Sequence, residues 1–402
     1  MSGTLNNRSQ LAVISLAAAL MGIGQNGLLV SLPFLVEQSA FDLPTWSILI
    51  AVGSFLFLPS APFWGRYSDK FGPKKVVVQA LVGMAFSFAL LCLFAMYSAK
   101  GAQWTLIGLL GLVVARVVYG CTVSGMVPAS QHWAILLCGE QHRLQAITAV
   151  SIGLSSGRLL GPLLSIVALK LSPFAPLVVM IVLPSIALIA ALFLPAPKPN
   201  REQSQNKAPL PWLPQKELSP FLLTGLLLCA SISLLQYSFS PLISSITHWS
   251  TAEISDAIGV LLTISAACTF AAQIVVVKNK KMTTQAMYRF GAISLVIGFG
   301  LFLIPSIWAF GVAMAIAAIG AALLVPAYTS SATETQSGSP GAVAGYISMS
   351  HTIGYGLASL LAFCATIDSR YPVYLCLLFS VLIFVTALSN CRQKKAQVLE
   401  QS

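Results

Sequence analysis

Charge is what this sequence has least of. Of its 402 residues only 8% are Asp, Glu, Lys or Arg, where a soluble globular chain carries about 25%. Together with 57% apolar residues and a mean hydropathy of +0.85, this excludes an ordinary water-soluble domain. No carboxylate lies in the middle of a long apolar run. Glu37, Asp42, Asp69, Glu140, Glu202, Glu217, Glu253, Asp256, Glu334, Asp368 and Glu400 all fall in loops or at helix ends. The eight cysteines form no CxxC pair and no His/Cys cluster with metal spacing, so they read as small packing residues rather than metal ligands. There is no nucleophile elbow and no phosphate-binding glycine loop, which argues against an enzyme. No metal or cofactor is expected.

What is there is a series of apolar stretches, each near the roughly 20 residues that a bilayer requires. The first, Leu11 to Val36, is too long for the core of a cleavable signal. The stretches place spans at 11–36, 45–64, 76–98, 103–126, 145–168 and 174–195, then 219–243, 256–277, 289–305, 307–327, 341–366 and 372–390. The reading is an all-α membrane protein of twelve helices, two six-helix halves around a central cavity. Trp46, Trp64, Trp104 and Trp308, near span ends, fit an interfacial belt.

The net charge of +11 is topological. With an even number of spans, one side collects Arg8, Arg66, Lys70, Lys74, Lys75, Arg143, Lys198, Arg201, Lys207, Lys216, Lys278, Lys280, Lys281, Arg289, Arg392, Lys394 and Lys395. That is 17 of the 22 basic residues, against Lys100, Lys170 and Arg370 on the other. Positive residues favour the cytoplasm, so both termini are expected there, in a bacterial inner membrane. A nucleic-acid partner is excluded by the same asymmetry.

The longest polar interruption, from Pro197 to Pro220, divides the chain. It predicts an N-terminal half 1–195, a cytoplasmic linker 196–218 and a C-terminal half 219–402. Val127-Pro-Ala129 at the end of span four recurs as Val325-Pro-Ala327 at the end of span ten. Transporters use such repeats, with substrate bound between them near the midplane.

Three motifs carry a resemblance. Gly65-Arg-Tyr-Ser-Asp-Lys-Phe-Gly-Pro-Lys-Lys75 resembles the signature loop between the second and third helices of the major facilitator superfamily, Gly-x-x-x-Asp-Arg/Lys-x-Gly-x-Arg/Lys. Its glycines suit tight turns, and Asp69 could meet a helix N-terminus or a cation. Arg116-Val-Val-Tyr-Gly120 resembles the Arg-x-x-x-Gly element of drug/proton antiporters, and Gly157-Arg-Leu-Leu-Gly-Pro162 their Gly-x-x-x-Gly-Pro motif, a mark of exporters. That last pattern usually continues with Gly-Gly, where this chain has Ser165-Ile166. Lys278-Asn-Lys-Lys281 is a degenerate echo of the signature loop. The resemblance implies conformational gating by Gly65, Asp69, Lys70, Gly72, Lys74, Gly157, Gly161 and Pro162, and a monomer as the usual state.

Two arginines lie mid-span, Arg116 and Arg158. A guanidinium cannot shed its proton, and intramembrane charges are costly and usually functional. With no carboxylate nearby in sequence, both are candidates for binding an anionic substrate. The alternatives are a structural or proton-coupling role for Arg116 and carbonyl pairing for Arg158. Gln25, Asn26, Gln236 and Tyr237 are candidate ligand hydrogen-bonders, or else helix–helix contacts. His351, mid-span in the eleventh stretch, is the candidate proton carrier, or else a neutral, bonded histidine. Cation exporters of the resembling family carry an acidic residue in the first or fourth helix, and this chain does not. The expectation is a proton-coupled exporter of a small polar anion such as a carboxylate siderophore, with protons and lipid as its other partners. A multidrug exporter, an organic-anion importer and a membrane sensor are the alternatives.

Overall fold

The computed structural model describes residues 2–98, 101–139, 143–195, 214–278, 282–335 and 340–400. Every regular element among them is helical. In hydrocarbon each backbone N–H and C=O must be satisfied within its own segment, and a helix does this locally. The chain forms two compact units, Met1–Ala208 with Ser250–Thr263, and Pro209–Trp249 with Ile264–Ser402. Of the expected linker, 196–213 lies outside the described residues.

The first unit holds α1 (Ser2–Gln38), α2 (Leu43–Phe71), α3 (Pro73–Ser98), α4 (Ala102–Val123), α5 (Met126–Cys138), α6 (Arg143–Leu169) and α7 (Ala175–Phe193). After it come α8 (Ser219–Tyr237), α9 (Phe239–Ser244), α10 (Thr251–Ala272), α11 (Thr284–Leu301), α12 (Ile307–Thr335), α13 (Pro340–Leu361) and α14 (Tyr371–Glu400). Helix α10 is divided, its first thirteen residues grouping with the first unit. Pairing repeats between the units. In the first, α1 packs on α6, and α3 packs on both α4 and α7; in the second, α8 packs on α13, and α11 on both α12 and α14.

Small residues make these pairs close, as expected where lipid is as apolar as the helices themselves. A Cβ on Gly161 would stand 2.9 Å from the Ile23 main chain, and one on Gly320 would stand 2.8 Å from the Gly291 carbonyl oxygen. Helix starts follow local chemistry. Asp42 caps α2, accepting from the Thr45 N–H at 3.0 Å and its hydroxyl at 2.6 Å; Thr283 caps α11 in the same way.

Among the described residues eleven helices are long and apolar enough to cross a membrane. The remaining expected stretch is α11, eighteen residues that carry Thr284, Gln285 and Arg289 near its start. Three expectations need correcting. The signature segment is not a loop: Gly65 to Phe71 forms the last two turns of α2, and only Gly72, at φ 91°, breaks the helix before Pro73 starts α3. Val127-Pro-Ala129 does not end a helix but lies in the first turn of α5, beyond a Ser124–Gly125 turn, and Val325-Pro-Ala327 lies inside the unbroken α12. Trp46 is 1% exposed and donates its indole N–H to Ser39 Oγ at 3.0 Å, so it is a core residue and not part of a belt.

Candidate functional site

Arg116 and Arg158 have the same sequence environment and different structural ones. Arg116 is 4% exposed. Its Nε donates to the Leu49 carbonyl of α2 at 3.2 Å, and its Cζ lies 4.8 Å from the centroid of the Tyr119 ring. Room for the guanidinium comes from Gly53, where a Cβ would stand 2.8 Å from Nη2. One turn on, Gly120 lets α4 approach α2, since a Cβ there would lie 2.6 Å from the Gly53 carbonyl oxygen. The Arg-x-x-x-Gly element is therefore a packing unit of α2 and α4. Tyr119, three residues along the same helix face, completes it, stacked on Phe57 and edge-on to Phe88.

Arg158 is exposed on α6, and among the described residues its guanidinium has no hydrogen-bond or ion-pair partner. Its face of the helix matters. Ser151, Ser155 and Arg158 follow at i, i+4 and i+7, one stripe of an α-helix. The exposed Ile152, Leu160, Leu163 and Val167 occupy another. Arg158 thus belongs to a polar stripe separate from the apolar one. The third face, bearing Gly153, Gly157 and Gly161, is pressed against the α1 main chain at Ser15, Ala19 and Ile23. Ser165, the departure from the motif, is buried opposite Gly27, whose missing Cβ leaves space for the hydroxyl.

On α1, Gln25 is half-buried and Asn26 donates its amide to the Arg158 carbonyl oxygen at 2.7 Å. Two of the predicted residues are thus brought together, though through a backbone atom. Gln236 and Tyr237 stand in the last turn of α8, where the helix breaks at Ser238, with Gln236 half-buried and Tyr237 8% exposed.

His351, half-buried on α13, shares a 2.5 Å hydrogen bond between its Nε2 and the hydroxyl of Tyr328 on α12. The rings meet edge-on at 5.9 Å. Gly225 of α8 makes room for the pair, as a Cβ there would stand 3.0 Å from His351 Cδ2. Next to it, Thr224 hydrogen-bonds Tyr288 at 2.7 Å and Thr386 at 3.3 Å, so a buried polar layer crosses α8, α11 and α14.

At the basic end of the first unit, the signature residues hold helix ends. Lys74 Nζ donates to the Leu192 and Leu194 carbonyls at 2.9 and 2.5 Å, capping the C-terminus of α7 where a cation also meets the helix dipole. Lys70 and Lys75 lie over the Phe71 ring at 5.2 and 5.7 Å. Trp64 donates to the Cys121 carbonyl at 2.6 Å, in the last turn of α4 where carbonyls lack helical partners. Ser68 bonds His132 Nδ1 of α5 at 2.8 Å. Gly65 has open space around it and makes no turn. The Asp69 side chain, and Asn279 to Lys281 of the second-half echo, lie outside the described residues.

Tyr119, Tyr328 and His132 were missed in the sequence. Tyr119 was legible as the i+3 neighbour of Arg116; Tyr328 and His132 carried no spacing signal. Among the described residues no group of three His, Cys, Asp or Glu could hold a metal.

The family model described as Major Facilitator Superfamily matches residues 14–359. The chain is 25% identical over 224 residues to the staphyloferrin B transporter of Staphylococcus aureus, over 53% of this chain and 50% of that protein. It is 25% identical over 203 residues to the class D tetracycline resistance protein of Salmonella ordonez, over 50% of this chain and 48% of that one. The match thus spans about half the length of these curated relatives. A solved structure of the nucleoside transporter NupG superposes with a TM-score of 0.72 at 12% identity, covering 94% of this chain and 98% of that chain, which is a likeness of fold alone.

Proposed function

We propose, from the premise that this chain belongs to the Major Facilitator Superfamily, that it is a proton-coupled exporter of a small polar anion. The observation that carries the anion is Arg158: a permanent cation, exposed, on a serine-bearing stripe of a membrane helix, with no partner among the described residues. Such a charge needs water or an anion, and a substrate carboxylate supplies bidentate acceptors. Arg116 is already engaged with Leu49 and Tyr119, so the reading gives it a packing role and leaves anion binding to Arg158. The relative named for staphyloferrin B supports a siderophore as the cargo.

In this reading substrate crosses by alternating access in a bacterial inner membrane, with the basic end cytoplasmic. Proton exchange falls to His351, with Tyr328 as its hydrogen-bond partner. The tetracycline resistance relative supports a second reading, drug export. Purified chain in proteoliposomes, with an imposed proton gradient, decides between them. Counterflow of staphyloferrin B that is lost in Arg158→Gln supports the first. Movement of tetracycline with no anion dependence supports the second. Staphyloferrin B transport unchanged in Arg158→Gln overturns the assignment of Arg158.

A further inference from the structure

We propose that Asn26 is a positioning residue: its carboxamide replaces the main-chain hydrogen bond that Pro162 removes from α6, and so fixes the turn that carries Arg158. In an α-helix the N–H of residue i donates to the carbonyl of residue i−4. Proline has no N–H. Pro162 lies inside α6, so the carbonyl it leaves without a helical donor is that of Arg158, four residues back. In a membrane helix a backbone acceptor left without its helical donor needs a partner from elsewhere in the protein. That is the atom which Asn26 Nδ2 reaches, at 2.7 Å, from the neighbouring helix.

The reach depends on the seam. A Cβ on Gly22 would stand 2.8 Å from the Arg158 main-chain nitrogen and 2.5 Å from the Leu154 carbonyl oxygen, so α1 and α6 touch backbone to backbone one turn before Asn26. At that separation the short side chain of Asn26 spans the gap. The residues thus act together. Pro162 frees a carbonyl, the glycines bring α1 within range, and Asn26 supplies the missing donor. The backbone of Arg158 is then held while its guanidinium stays exposed. Asn26, a candidate ligand by sequence, is on this account committed to the protein itself. The part of the inference that concerns Arg158 as the anion-binding group rests on the proposed function; the Asn26–Pro162 coupling does not.

A four-way comparison tests it, using the full chain in detergent and in proteoliposomes: wild type, Asn26→Ala, Pro162→Ala and the double variant. Alanine at 162 restores an N–H for the Arg158 carbonyl, so the need for Asn26 disappears. The expected result is a melting temperature lowered by several degrees in Asn26→Ala, with no further loss when Asn26→Ala is added to Pro162→Ala. For staphyloferrin B, the same substitution raises KM several-fold in the wild-type background at little cost in kcat, and leaves KM alone in the Pro162→Ala background. If Asn26→Ala alone does not fold, recovery of folded protein in the double variant supports the coupling, and failure to recover overturns it. Equal losses of melting temperature in both backgrounds also overturn it. If no variant moves staphyloferrin B, the substrate reading fails while the melting comparison still decides the coupling.

Discussion

Replacing Gly157 by alanine tests the α1–α6 seam against the alternative that the motif glycines matter as turns. The new Cβ would overlap the Ala19 carbonyl oxygen and stand 2.7 Å from its carbonyl carbon and 2.8 Å from its Cα. All three are main-chain atoms, so no rotamer change on α1 can relieve them. Carbon–oxygen contacts of this kind settle near about 3.3–3.6 Å, so the helices must separate by on the order of an ångström. A gap of that size forfeits about a quarter to a half of the local dispersion attraction. Overpacking of one methyl costs about 1–3 kcal/mol, and opening the seam also loses the Asn26 hydrogen bond, about 1 kcal/mol. The expected destabilisation is therefore about 2–4 kcal/mol. The control is Gly65→Ala. Gly65 is helical, with nothing within 4 Å of its Cβ position, so alanine there stabilises by about 0.5–1 kcal/mol through helix propensity. Thermal unfolding of both variants in the same detergent should move in opposite directions. A Gly157→Ala protein that melts with the wild type, or a Gly65→Ala protein that melts lower than it does, would refute the reasoning.

Three further outcomes are expected. Arg116→Met keeps the volume but loses the Leu49 hydrogen bond and the Tyr119 contact, so it should destabilise by about 2 kcal/mol and leave KM for an anionic substrate unchanged; a KM effect without a stability effect would return Arg116 to the binding site. The Asp42 carboxyl is held below its ordinary value, first by the Thr45 hydroxyl and then by its N–H. Its contribution is therefore present above the unfolded value, near about 4, and lost as pH falls through the lower folded one. Asp42→Asn should remove that acid-range loss while keeping the cap, and Asp42→Ala should cost about 0.5–2 kcal/mol at neutral pH, both read by melting temperature across pH. For the proton step, His351→Gln should flatten the pH dependence of transport, and Tyr328→Phe, which keeps the imidazole but removes its partner, should displace that dependence. Unchanged profiles in both variants would exclude the pair from coupling.

Hydropathy located the helices well and their ends poorly, for one reason. It marks where the chain leaves hydrocarbon, whereas a helix ends only where its hydrogen bonding does. Gly65 to Phe71 is polar enough to read as a loop, yet Ser, Asp and Lys are tolerated in a helix that projects into water, and the turn waits for Gly72. The same difference hid α5, where a short Ser124–Gly125 turn is followed by another thirteen helical residues. Trp46 near a span end resembled an interfacial tryptophan, because a sequence shows depth along a helix and not which side of it faces a neighbour.

Composition and order alone determined that this is a helical membrane protein, since the apolar runs and the signature spacings are properties of a linear string. They also determined that two arginines lie mid-span and that no carboxylate does. Only tertiary structure decided that these arginines are different residues. Arg116 is closed over by α2 because Gly53 and Gly120 let that helix approach; Arg158 stays open because the glycines of α6 turn its neighbouring face, not its own, toward α1. The rotation of one helix against another is set by contacts between residues far apart in the chain, such as Arg116 with Leu49 and Gly157 with Ala19, and no local pattern records it.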